Sequence, residues 1–205
     1  MSTVRTKSEV LKTATDGSTM IDINTADKEI TLNALVKNTN GTGTFAGSVS
    51  VEEFGDGRRH YTKLSFTDLD VGAAVAGGAD EAEGVLLYTL PAGVQKINAV
   101  YSEIALSGPA AIQADTPEIG IGTVIATGAV AVLGGTATFE DILEGSAAAD
   151  VNGTVNIDSD LAVNQLIAAA SAKTVHLNIA DGWAAGGGQV AATGFIILEW
   201  TQLKD

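Results

Sequence analysis

Thr44-Phe45-Ala46-Gly47-Ser48-Val49-Ser50-Val51-Glu52-Glu53-Phe54-Gly55-Asp56-Gly57-Arg58-Arg59-His60-Tyr61-Thr62-Lys63-Leu64-Ser65-Phe66 decides the fold. Two runs of alternating or β-branched residues flank Asp56-Gly57, a pair that tolerates the positive φ of a tight hairpin turn. Val49 and Val51 share one face of the first run, with Ser50 and Glu52 on the other. The alternation has period two, which is the period of a strand. Upstream, 30–36 is a third run, and Asn40-Gly41 separates it from 44–53. The expected unit is a three-stranded antiparallel meander over 30–36, 44–53 and 59–66.

The same pattern continues down the chain. Asp16-Gly17, Asn152-Gly153 and Asp181-Gly182 are further turn signals. Strands are expected over 84–90, 94–106, 118–126, 130–133, 151–157, 174–180 and 193–203. The run 94–106 is long enough to bend or carry a bulge. Gly120 and Gly122 alternate with Ile119 and Ile121, so a second layer can approach that strand closely. The C-terminal run, with Phe195, Ile196, Ile197, Leu198 and Trp200, is expected to be covered on both faces. Helix signals are sparse. Thr138 to Leu143 has room for one or two helical turns. The alanine-rich 161–172 reads either as a helix capped by Ser159 or Asp160, or as short turns at strand ends. The fold class is all-β: an antiparallel β-sandwich, jelly-roll-like, with at most one or two short helices.

Composition sets the remaining bounds. The chain has 205 residues, 45% hydrophobic and 5% aromatic, enough apolar content for a sizeable core. There is no cysteine, which excludes a disulfide scaffold and thiolate-ligated metals. The formal charge is −14, which disfavours binding to nucleic acid. The charge is uneven: net −3 over residues 1–80 and −11 over 81–205. Residues 71–84, rich in Gly and Ala and then acidic, are either a linker or a long loop. The expected organisation is an N-terminal arm and meander over 1–70, a flexible loop or linker over 71–84, and a main sandwich over 85–205, with 20–70 able to join it as one domain. No apolar region follows the basic N-terminus, so a secretory signal is not expected. Residues 119–139 carry no charge, but five glycines and four threonines make buried strands a better reading than a membrane span.

The search for chemistry returns little. No Gly-Lys dipeptide exists, so there is no phosphate-cradling P-loop. The Gly120-Ile121-Gly122 start of a dinucleotide fingerprint has Ile125 at its third glycine position. No serine sits in a nucleophile elbow. His60 and His176 lie in strand-like runs, and His176 is expected to face away from Val175 and Leu177. Asp158-Ser159-Asp160 and Asp68-Leu69-Asp70 fall short of a calcium loop and read as solvated carboxylates. Glu52 and Glu53, adjacent on a strand, point to opposite faces and cannot converge like a glycosidase pair. Trp200 is expected in the core, and Trp183 over a loop beside Asp181-Gly182. No catalytic residue, cofactor site or metal site is assigned, and the chain is expected not to be an enzyme.

Several ordered stretches carry a resemblance. Arg59 to Asp68, Leu87-Tyr88-Thr89-Leu90-Pro91-Ala92-Gly93, Thr116 to Val124, Ala137 to Ile142, Thr174 to Asp181 and the Gly194-to-Leu203 strand resemble segments of small virion structural proteins of tailed bacteriophages. The resemblance covers roughly 59–203 and rests on packing and turn motifs. It implies a capsid decoration or cement protein on the outer surface of the virion, made in the cytoplasm of a bacterial host. The implied partners are the major capsid protein and further copies of the chain, a trimer being favoured, with no nucleic acid and no membrane. In that role the basic residues Arg5, Lys7, Lys12, Arg58, Arg59 and Lys63 are the expected contacts to an acidic shell, with Ser2 to Lys12 as an arm that orders on binding. The rival readings are a tail or fibre component that binds a host receptor or glycan, and a glycan-degrading β-sandwich enzyme.

Overall fold

The computed structural model describes residues 21–24, 29–32, 48–55, 59–72, 75, 77–161, 165–169, 173–186 and 188–204. The chain divides into two compact units, 1–37 and 38–205. In the first, β1 (Ile21–Asn24) pairs antiparallel with β2 (Glu29–Leu32). The run 30–36, expected as the first strand of a meander with 44–53 and 59–66, pairs through its described residues with β1 in a separate two-stranded sheet; 33–36 lie outside the described residues.

Among its described residues the second unit carries ten strands: β3 (Val49–Gly55), β4 (Arg59–Asp70), β5 (Ala79–Thr89), β6 (Gly93–Ser107), β7 (Glu118–Gly122), β8 (Leu143–Ala147), β9 (Asn152–Asp160), β10 (Gln165–Ala169), β11 (Thr174–Trp183) and β12 (Ala191–Lys204). They form two antiparallel sheets. Sheet A runs β10-β6-β12-β4-β3, with β9 sharing the edge of β6 with β10; sheet B runs β5-β11-β7-β8. The pairing is nested. β4 pairs with β12, β5 with β11, β6 with β9, and β7 with β8. Leaving β3 and β10 aside, the first strand pairs with the last of eight, the second with the seventh, and so inward. That is a folded-over hairpin, the topology of a jelly roll.

Alternation explains each strand. In β4, His60, Thr62, Leu64 and Phe66 are buried, while Arg59, Tyr61, Lys63 and Ser65 face outward. The phase then slips at a bulge opposite Ala192/Gly194, and Leu69 and Val71 become the inward residues. Asp68 takes a φ of 48° there. Gly194 is held at φ +151°, where a Cβ would lie 2.0 Å from the Glu103 carbonyl oxygen. Only glycine fits that approach. The core between the sheets holds Leu64, Leu87, Ile97, Ile104, Ile121, Leu177, Ile196, Leu198, Trp183 and Trp200.

Several expectations change. Gln165 to Ala169, inside the alanine-rich stretch, is a strand and not a helix: it pairs with Gly93 to Ile97, burying Ile167 beside Gln95. Pairing along the β6 edge overrides the helix propensity of alanine. Trp183 is in the core, because Asp181-Gly182 does not turn but continues β11 in register with Asp80 and Glu81. β12 is buried on its inner face, while Phe195 and Ile197 on its outer face are only half-buried. Leu143 to Ala147, which carried no strand expectation, pairs with β7; 130–133 is not a strand. Of residues 71–84, which fall inside the second unit, 79–84 belong to β5, and ahead of them Val71 N–H is bonded to Val190 and Val75 N–H to Gly188. Helical structure among the described residues is three single 3-10 turns, Ala110–Ile112, Leu133–Gly135 and Ala137–Phe139. No helix among the described residues is long and apolar enough to cross a membrane.

Candidate functional site

The ionisable clusters come first, because a reactive site would need one. Glu53 on β3 turns inward, as its alternation with Glu52 requires. Its Oε1 lies 2.8 Å from His60 Nδ1, and its Oε2 accepts from Tyr88 Oη at 3.2 Å and Thr62 Oγ1 at 3.4 Å. Trp200 Nε1 donates to Thr62 Oγ1 at 2.9 Å, and the indole stacks on the His60 ring. Tyr88 comes from sheet B and the other four residues from sheet A. The network therefore ties the two sheets together. Its carboxylate is engaged on both oxygens, and the imidazole face is covered by an apolar ring.

A second cluster lies on the outer face of sheet B. Residues 123–142, between β7 and β8, fold back over that face and are pinned by polar side chains. Asn178, fully buried, accepts from Ala126 N–H at 2.9 Å and donates to the carbonyls of Val124 at 3.0 Å and Phe139 at 2.7 Å. Asp141 accepts from the Thr123 amide and hydroxyl, both at 2.7 Å. Glu140 accepts from Gly145 N–H at 2.7 Å, and Glu118 from the Leu133 amide. Burial, then the neighbouring Glu118 and Glu144 carboxylates, push the Glu140 carboxyl above its usual range, against the lowering effect of the Gly145 bond. Gly122 permits the close approach expected from its sequence: a Cβ there would sit 2.4 Å from the Phe139 carbonyl. His176 does face away from the core, yet the excursion leaves it buried, with no hydrogen-bond partner for Nδ1. Desolvation holds its pKa below the usual 6.5. Each of these acids holds a backbone amide of its own chain. Among the described residues, no three His, Asp or Glu side chains converge to hold a metal.

The open surface is the outer face of sheet A. Register places its side chains in rows. One row reads Ile157, Glu103, Phe195, Ser65, Ser50 across β9, β6, β12, β4 and β3; the next reads Ser159, Tyr101, Ile197, Lys63, Glu52. Lys63 Nζ sits 4.5 Å over the Phe195 ring, a cation–π contact. Tyr101 and Phe195 rings are 5.9 Å apart, and Tyr101 Oη donates to Glu103. That bond raises the Tyr101 pKa above its ordinary value. Arg59 pairs with Glu199 at 3.1 Å. Phe54, opposite Tyr61, is exposed at the β3 edge. The sequence reading named Arg59 and Lys63 as contacts, and β4 places both on this face. Arg5, Lys7, Lys12 and Arg58 lie outside the described residues. The reading missed the apolar members, because alternation says which residues share a face but not which face is inside.

No protein-family model matches the chain, and no curated protein matches it. The fold is a jelly-roll sandwich in which the described Glu53–His60 and Glu118–Glu140–Asp141 clusters are engaged with the protein's own side chains and backbone.

Proposed function

We propose that the chain is a non-enzymatic structural protein of a tailed-bacteriophage virion: a capsid decoration or cement protein that contacts the major capsid protein on the outer shell as a closed homo-oligomer, a trimer being favoured. The observation that carries this reading is the outer face of sheet A, whose rows across five strands mix cations, acids, aromatic and aliphatic side chains, on a double-sheet body. Such a face suits docking by shape, with apolar contacts supplying affinity and charges steering the approach. The jelly roll is a fold shared by viral capsid proteins and by lectins and cupins, so it supports the reading by analogy alone. The excess acid elsewhere favours the solubility of the free oligomer.

Arg59 and Lys63 are the cations that β4 places on the docking face. Replacing both with glutamate should lower occupancy on shells stripped of the protein by about tenfold or more. Binding of the double variant at the wild-type level would remove these residues from the contact. A tail or fibre role is the second reading. The observation that favours it is Phe54 beside Tyr61, an aromatic pair on which a sugar ring can stack; loss of glycan binding on Phe54→Ala, with shell binding intact, would select it.

A further inference from the structure

β9 is inverted relative to every other long strand of the sandwich. Its odd-numbered residues Val155 and Ile157 face solvent, at 56% and 66% exposure, while Asn156, Asp158 and Asp160 turn toward the inter-sheet side and are half-buried. Register with β6 fixes this: Asn156, Asp158 and Asp160 lie opposite the buried Ile104, Ser102 and Val100. A one-residue slip would have put the valine and isoleucine inside. The apolar row runs on past the strand. Leu161 is 83% exposed, and Leu166 on β10, opposite Lys96, is 58% exposed. Along one edge of sheet A the chain thus spends four large apolar side chains on solvent and turns its carboxylates away.

We infer that this edge of the outer face, Val155, Ile157, Leu161 and Leu166, is the contact between copies of this chain. Charge selects the occupant. A cationic partner would be best met by an acidic surface, which this chain has in excess. A second copy carries the same −14 formal charge and approaches most easily where acid is sparse. The row from Val155 through Leu161 meets that need: Asp158 and Asp160 point to the other side of the sheet, and on the row's own face Glu103, beside Ile157 and held by Tyr101 Oη, is matched by Lys96 opposite Leu166. Those inward acids also discourage β9 from pairing edge to edge without limit, which leaves face packing of sheet on sheet as the mode. Arg59 and Lys63 sit on β4, two strands across, so shell binding and self-association use different parts of the face. The inference rests on the assembly reading above, and its test uses no particles, so the two fail separately.

The test is sedimentation of the full chain at concentrations of tens of micromolar. The wild type should sediment as an oligomer, Ile157→Asp as a monomer with an unchanged β spectrum, and Val132→Asp, an exposed position on the 123–142 excursion, as the wild-type oligomer. If Ile157→Asp loses its spectrum, Leu161→Asp, outside the strand, takes its place with the same expected result. Raising salt from about 0.1 M to about 1 M shortens the Debye length from ~10 Å to ~3 Å. It should tighten an apolar contact between like-charged copies. A monomeric wild type, an Ile157→Asp or Leu161→Asp oligomer of wild-type size, or dissociation by salt would each overturn the inference; a monomeric wild type would assign the face to a different protein.

Discussion

The His60 imidazole and the Trp200 indole lie parallel, ring centres 3.9 Å apart and planes 8° from coincident, inside the sandwich. Trp200 is the last described residue of β12 that is fully buried, and His60 is the first inward residue of β4. The stack closes one end of the core, and Glu53 completes it by reaching the histidine, Thr62 and Tyr88. Trp200→Phe keeps an aromatic ring but leaves Thr62 without its indole donor. A loss of about 1–3 kcal/mol in unfolding free energy is expected, read from urea denaturation with an unchanged slope.

Asn178→Ala should act locally. It would leave the Ala126 amide and the Val124 and Phe139 carbonyls without their side-chain partner. Each unsatisfied buried group costs about 1–3 kcal/mol. The expected result is faster hydrogen exchange at Ala126 and earlier proteolysis within 123–142, with the amides of β4 and β12 still protected. Uniform loss of protection across both sheets would show that the excursion is part of the global core.

Acid should weaken the fold through His176. Its folded pKa is depressed by burial, so below 6.5 the unfolded chain takes up a proton that the folded chain refuses. Stability present above 6.5 is lost as pH falls toward the folded pKa. His176→Gln should flatten the stability–pH curve in that window. An identical slope in the variant would mean that the histidine is not desolvated.

Glu140 has the opposite sign. Its carboxyl is raised, by burial first, so its ionisation opposes folding as pH climbs from 4.5 through the folded pKa. Glu140→Gln keeps an oxygen for the Gly145 amide and removes the charge. The variant should gain stability over the wild type as pH rises from about 4.5 to 7, and the gap should close in acid. A gap independent of pH would contradict the shift.

Much of this architecture was readable from period-two runs; of the turn pairs, Asp16-Gly17, Asn40-Gly41 and Asp56-Gly57 lie outside the described residues, and Asn152-Gly153 falls at the start of β9. The β3–β4 hairpin, the bulged β6 and the close approach at Gly122 follow from local chemistry that the tertiary fold leaves alone. Gln165 to Ala169 was not readable as a strand, because alanine-rich sequence favours helix and only the vacant β6 edge decides otherwise. Asp181-Gly182 misled for a related reason: a turn pair turns only where no neighbouring strand extends alongside it, and β5 does. The outer face of sheet A was half legible. Arg59 and Lys63 stand out as rare cations in an acidic chain. Val155 and Ile157 look like any inward pair until register with β6 shows which side of the sheet they occupy.

The most direct test of the proposed virion role is to purify phage particles assembled in the presence of this chain, count the chain in them by quantitative mass spectrometry, and locate it by cryo-electron microscopy. The account predicts many copies in icosahedral positions on the outer shell, with the open face of sheet A against neighbouring protein. Absence of the chain from purified particles would contradict it.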